Sequence, residues 1–409
     1  MKEKEGVMSR YEYHKPDHWW VSPYNYIDPV QNEFSIPDGA MIHDVTLRDG
    51  EQTPGVVMTP ENKLEIARLL DGIGIERIEA GMPAVSDDDF TAIRSIVDAK
   101  LNAKIYSFAR ARKDDIDSAI EAGVDGVIIE IPIGYPKLVH QFGWTWEEVL
   151  KRSVPVINYA RENGLHTVYF PYDTTRARFA DLEQLLEGIM RDAPPDGIGL
   201  VDTVGCALPI TIKYLVRHVI TKTGLPVEIH THNDFGMALA TELAALEAGA
   251  TVVHGAANGL GERTGNTATE ELVMAMKVLY QLPNPYRLDR LVDLASTIET
   301  ITGISPAVNK PVIGSRNFTR ESGIGVDLVI KQPLAMFSTD PKLTGRSGDV
   351  VLGKKSGKLS ILYHLEKKGH TDVSDETVEE LVRRVKKAGI AKRGLLTGEE
   401  FDEIVDAVL

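Results

Sequence analysis

In the stretch "VEIHTHNDFG", His230 and His232 close an apolar run, and Asn233, Asp234 and Gly236 follow at once. Residues two apart on a strand share a face, so both imidazoles would point the same way. A charged pair, Arg48 and Asp49, ends another such run, "MIHDVTLRDG". Two imidazoles and one carboxylate form a nitrogen–oxygen set suited to a divalent ion such as Mg²⁺, Mn²⁺ or Zn²⁺. Coordination positions left open would accept carbonyl and carboxylate oxygens of a substrate. The loop "NGLGERTGN" (258–266) adds glycines that let backbone approach closely, and Asn266, whose amide oxygen is a further donor. "GDVVLGKKS" (348–356) is rejected as a phosphate loop, because Lys355 stands where Ser or Thr is required.

These residues need a scaffold that brings strand ends together. Eight short β-branched runs, starting at 41, 75, 103, 126, 166, 197, 227 and 251, alternate with longer segments of helical period. Such an alternation predicts an α/β fold, a (β/α)8 TIM barrel over 40–285, with chemistry at the C-terminal strand ends. A doubly wound open sheet competes, but no Gly-rich dinucleotide fingerprint opens the first unit. Residues 1–39 are aromatic and turn-rich and predict an irregular N-terminal arm. A linker and small post-barrel subdomain follow over 286–365, then a C-terminal helical subdomain over 366–409. Ser374, and Thr397 with Glu400, are expected to cap its two helices.

Composition excludes several classes. A formal net charge of -15 repels a phosphate backbone, so nucleic acid is not an expected partner. The single cysteine, Cys206, rules out an intramolecular disulfide and suits a reducing compartment. Neither a secretory signal nor a membrane span is apparent, and a cytoplasmic location is expected.

"DVTLRDGEQTPG", "VDTVG", "HTHNDFGMALA" and "NGLGERTGN" together resemble the metal-dependent barrel enzymes that include isopropylmalate, homocitrate and citramalate synthases, with hydroxymethylglutaryl-CoA lyase a more distant relative. "NKPVIGSRNFTRESGIGVD" and "VVLGKKSGK" are similar to the synthases' post-barrel subdomain. The resemblance implies a divalent metal on Asp49, His230 and His232, with Asn266 as a fourth protein ligand. It implies that Arg48 steadies the substrate's carbonyl oxygen or enolate and that Thr203 holds its carboxylate. Gln52, Glu79 and Arg110 would line the same pocket. The implied reaction is a Claisen-type condensation of an acyl-CoA with a 2-oxo acid in a homodimer. The amino-acid-sensing domain of many isopropylmalate synthases is not expected.

The departures from the family pattern fall on proton transfer. Tyr172, beside Asp173, occupies the place of the synthases' catalytic glutamate in "YFPYDTTR". Gly325 replaces the assisting histidine in "RESGIGVDL", Arg320 replaces an earlier one, and only Asp327 persists. Tyr172 and Asp173 are therefore the candidate proton-transfer groups beside Arg48. The alternative is an aldolase or lyase running enolate cleavage, with Tyr172, Asp173 or His254 as acid–base group.

Overall fold

The β-branched runs form eight parallel strands that close into a barrel, each β-strand hydrogen-bonded to the next and the last to the first. They are β1 Met41–Asp44, β2 Arg77–Glu79, β3 Lys104–Arg110, β4 Gly126–Pro132, β5 His166–Tyr172, β6 Gly197–Asp202, β7 Val227–Thr231 and β8 Val252–Gly255. Closure pairs His254 of β8 with His43 of β1. The computed structural model describes residues 11–409.

Each strand is followed by a helix on the outside: α1 Pro60–Ile73, α2 Asp87–Asp98, α3 Lys113–Ala122, α4 Trp146–Glu162, α5 Phe179–Asp192, α6 Pro209–Thr223, α7 Ala238–Glu247 and α8 Thr269–Met274. Local chemistry sets their ends. Thr59 and Asn62 form a capping box at the start of α1, Pro60 fills its first turn, and Gly74 ends it at φ 100. A further helix, α9 Leu291–Thr302, extends this unit beyond the strand–helix repeat, and Asn258 Nδ2 donates to its Ala295 carbonyl at 3.1 Å. The compact unit runs from Ile27 to Pro306.

The barrel interior is divided. From β3 to β6 the inner face is aromatic and apolar: Tyr106, Phe108, Ile128, Val168, Phe170 and Val201 pack together, with Tyr172 at the edge. Gly199 is required there, because a Cβ would fall 2.0 Å from the Phe170 ring. On β1, β2, β7 and β8 the inner face is polar, carrying His43, Arg77, Glu79, Glu228, His230 and His254, all buried.

A second compact unit combines residues 11–26 with 307–409. The arm supplies a small hairpin, His14–Lys15 with Trp19–Trp20, and Trp20 N donates to the Ser338 carbonyl at 2.8 Å. Trp19 is buried. The helices α10 Lys358–Lys367, α11 Asp375–Lys392 and α12 Gly398–Asp406 share a core of Ile361, Leu365, Leu381, Val385, Phe401 and Val405. Ser374 caps α11, and Thr397 with Glu400 forms the capping box of α12, as their spacing predicts. Among the described residues no helix is long and apolar enough to cross a membrane.

Candidate active site

The strand β1 stops at Asp44, so Arg48 and Asp49 lie beyond it, in the turn that leads into a 3-10 segment, Gly50–Gln52. That turn folds back over the mouth. It brings Asp49 Oδ2 to 3.3 Å from His230 Nε2 and 3.7 Å from His232 Nε2. All three residues are buried, and one ligand atom from each lies within 4.8 Å of the others. His230 belongs to β7, whereas His232 sits just past it, bridged to Asn266 of the loop after β8.

The donor set fits a cation. Asp49 Oδ2 accepts from Arg48 Nη1 at 3.0 Å, while Oδ1 is buried without a hydrogen-bond partner, as are Asn266 Oδ1 and the Nδ1 atoms of both histidines. Buried polar atoms are rarely left unpaired, so the two acceptors Asp49 Oδ1 and Asn266 Oδ1 fit a cation beside the imidazoles. Asn266 Nδ2 donates to the Leu260 carbonyl at 2.9 Å, which orients the amide. Gly261 must be glycine: its φ is +144, and a Cβ would fall 2.3 Å from Asn266 Nδ2 and 3.0 Å from Asp49 Oδ1.

Arg48 is held on two sides. Its Nε donates to Glu79 Oε1 at 2.8 Å, its Nη1 reaches Asp49, and its guanidinium lies 4.7 Å from the Phe108 ring centroid. Burial works against ionised groups here, yet the ion pairs prevail. Burial alone would raise Glu79, but Arg48 and His43 bring it down to about 2. Burial likewise opposes ionisation of Asp49, and Arg48 with the imidazoles holds it well below the usual carboxylate range. Burial, then His230, lowers His232 to about 4, leaving it neutral and able to ligate.

The other sequence-predicted residues divide between the mouth and its rim. Gln52 lines a cavity of about 180 Å³ with Arg48, Met82 and Phe108. Thr203 Oγ1 accepts from Asp173 N at 2.8 Å, so its own proton remains available. Glu79 is engaged by Arg48 and by His43 Nε2 at 3.3 Å, which makes it a support for Arg48. Arg110 is exposed at the end of β3 and forms a two-pronged pair with Asp115 of α3, at 2.8 and 2.9 Å. Tyr172 packs with the inner cluster, and burial, then Glu130 and Asp173, raise its hydroxyl. Asp173 lies on the opposite parity, at φ 61, gripped by Arg176 Nε and Nη2, both at 2.8 Å. It packs against Gly134, where a Cβ would fall 2.1 Å from its Oδ2. Asp173 thus braces the β5 turn, leaving Tyr172 as the member of this pair that faces the interior.

His254 lies deeper. Its Nε2 is 3.3 Å from Glu228 Oε2, its ring stacks on His43 at 4.4 Å, and Glu228 also accepts from Arg77 Nη1 at 2.5 Å. Arg77, Glu228, His254, His43, Glu79 and Arg48 form a continuous polar column from the barrel core to the mouth. Although His43, Glu228 and His254 have metal-ligand types and spacing, the Arg77 guanidinium already supplies the positive charge there. Sequence reasoning named Arg48, Glu79 and His254 but missed Arg77, Glu228 and His43, together with Glu130, an acidic side chain on the inward parity of β4. A lone charge in the apolar run "GVIIEIPI" was the available signal, since strands of parallel barrels are otherwise apolar.

In the post-barrel unit, Gly325 adopts φ +79, and a Cβ would meet Met336 Sδ at 3.1 Å. A side chain at this position would be strained in the left-handed region and crowded by Met336. Arg320 Nε donates to the Ile324 carbonyl at 3.2 Å, and Asp327 is exposed.

Comparisons with known proteins agree with this architecture. Residues 40–298 match the HMGL-like family. The chain is 39% identical to a homocitrate synthase from Methanopyrus kandleri, over 94% of this chain and 96% of that one. It is 37% identical to a 2-isopropylmalate synthase from Methanocaldococcus jannaschii, over 94% of this chain and 74% of that one. Among solved structures, a Bacillus subtilis HMG-CoA lyase superposes with a TM-score of 0.60 at 22% identity, covering 66% of this chain and 96% of the lyase. That last likeness concerns the fold.

Proposed function

The chain belongs to the HMGL-like family, and from that premise we propose that it condenses an acyl-CoA with a 2-oxo acid, using a divalent cation in the barrel mouth. The observation that carries the reading is the Arg48–Asp49–His230–His232 cluster, a guanidinium beside a buried three-ligand set. Asp49, His230, His232 and Asn266 would hold the cation, and its chemistry is polarisation of the 2-oxo acid's carbonyl and carboxylate oxygens.

The protein's own groups account for the rest. Arg48 is locked by Glu79 and Asp49, so guanidinium donors stand preorganised where negative charge develops on oxygen. Thr203 offers its hydroxyl proton to the substrate carboxylate, because Asp173 N already satisfies the oxygen as acceptor. The cavity between Gln52, Met82 and Phe108 takes a short substrate side chain. Arg110, paired with Asp115 at the rim, would contribute charge to the entrance. A homodimer, as the resemblance implies, belongs to this reading.

Near-full-length likeness to synthases favours condensation over cleavage. The test is release of free thiol from acetyl-CoA with a panel of 2-oxo acids, with and without Mg²⁺, Mn²⁺ or Zn²⁺. Metal-dependent thiol release with at least one 2-oxo acid is expected, and Asp49→Ala should lose both bound metal and turnover. Release of a 2-oxo acid from a hydroxy-diacid, without thiol release from any pair, would sink the synthase reading and favour the lyase.

A further inference from the structure

Every other carboxylate near the barrel mouth has a partner that fixes it. Glu51 accepts from Met58 N and pairs with Lys63, Glu79 with Arg48, and Asp173 with Arg176. Asp202 accepts from Thr175 and Ala207 N, and Asp234 from Arg263. The exception is Glu130, whose side chain has no hydrogen-bond partner among the described residues. Its position follows from β4. Ile128 belongs to the inner apolar cluster, and Glu130, two residues on, shares that face one level nearer the mouth. Its neighbours in register are Arg110 of β3 and Phe170 of β5, and the next inward residue of β5 is Tyr172.

We propose that Glu130 is the proton-transfer carboxylate of this enzyme, moved one strand over from the position that Tyr172 now fills. The proposal rests on the condensation reading. The carboxylate stands one level above the aromatic cluster of the interior, within electrostatic reach of Arg48, Glu79 and Asp49. It would take a proton from the acyl donor's α-carbon as that C–H bond breaks. The released electron pair forms the new bond to the carbonyl carbon of the 2-oxo acid, whose π electrons move onto its oxygen. Glu130 then returns the same proton to that oxygen, and water hydrolyses the thioester to free thiol and carboxylate. Its surroundings suit the task. Burial raises the carboxyl to about 8, against a lowering by Arg48 and with Glu79, Asp49 and Glu262 adding to the rise. Those groups and Tyr172 are the charged and titratable neighbours that face it, whereas Arg110, in register on β3, is exposed and turned to Asp115. A base works best when its pKa lies near the working pH.

The test compares the metal-loaded parent with Glu130→Gln and Glu130→Asp, measuring thiol release and, without 2-oxo acid, deuterium uptake into acetyl-CoA from D2O. The isosteric Glu130→Gln variant should keep its metal, melt no lower than the parent and lose about 100- to 10,000-fold in kcat with KM little changed. It should also lose deuterium exchange and the rising acid limb of the kcat/KM profile. Glu130→Asp should recover part of kcat. A parent that releases no thiol with any 2-oxo acid removes the condensation reading and this role with it. An active parent whose Glu130→Gln variant keeps kcat, or changes only KM or the preferred 2-oxo acid, overturns the proton-transfer role alone. Should Glu130→Gln misfold, a Glu130→Asp variant with the parent's kcat and pH profile overturns it equally.

Discussion

Glu79 Oε1 accepts the Nε–H of Arg48 at 2.8 Å, and its other oxygen faces both Arg48 Nη2, at 3.5 Å, and His43 Nε2, at 3.3 Å. The Arg48 guanidinium beside Asp49 is thus aimed by a carboxylate on the neighbouring strand, itself tied to the core.

Replacing Glu79 by glutamine should therefore affect both rate and stability. With Arg48 released from its anchor, kcat/KM is expected to fall by about 10- to 100-fold while metal content is retained. The carboxyl's pKa drops from 4.5 to about 2 on folding, so its stabilisation is fully present above 4.5 and is lost as pH falls toward 2. That shift corresponds to about 3 kcal/mol, which urea titrations of parent and variant at neutral pH would read.

The stacked pair His43 and His254 makes the barrel acid-sensitive at milder pH. Burial and Arg77 lower His43, and burial and His43 lower His254, so both are neutral in the fold. The unfolded chain takes up these protons near 6.5 and the folded one does not. Stability should be intact above that pH and fall below it, approaching about 1.4 kcal/mol per pH unit for each histidine. Denaturant titrations from about pH 7.5 down to about pH 5 would record the slope. A flat profile across that window would contradict the buried neutral pair. In metal-free protein His232 adds to the same slope.

Gly325→His asks whether the family's histidine can be put back. At φ +79, with Met336 Sδ 3.1 Å from the new Cβ, the substitution should cost about 1–2 kcal/mol and restore no activity. A lowered melting temperature with unchanged turnover is the expected result. A stable variant with higher kcat would mean that the backbone there adapts easily.

Much of the metal side was legible because it depends on short-range rules. The His-x-His spacing on β7 puts His230 and His232 on one face whatever surrounds them. Strand and helix periods announced all eight barrel strands, and Ser374 and Thr397 announced their helix starts. The sequence by itself therefore determined the barrel, its capped helices and the residue types gathered for a cation. Only the tertiary structure decided which groups are free to act. Asp173 looked like an acid–base candidate beside Tyr172, but strand parity turns it away and Arg176 neutralises it. Glu130 looked like one charge in an apolar run, and closing the barrel leaves it unpaired beside Tyr172 on the aromatic face. Partnership is a property of atoms brought together from distant strands, and burial converts its presence or absence into ionisation. No local pattern in the chain encodes that.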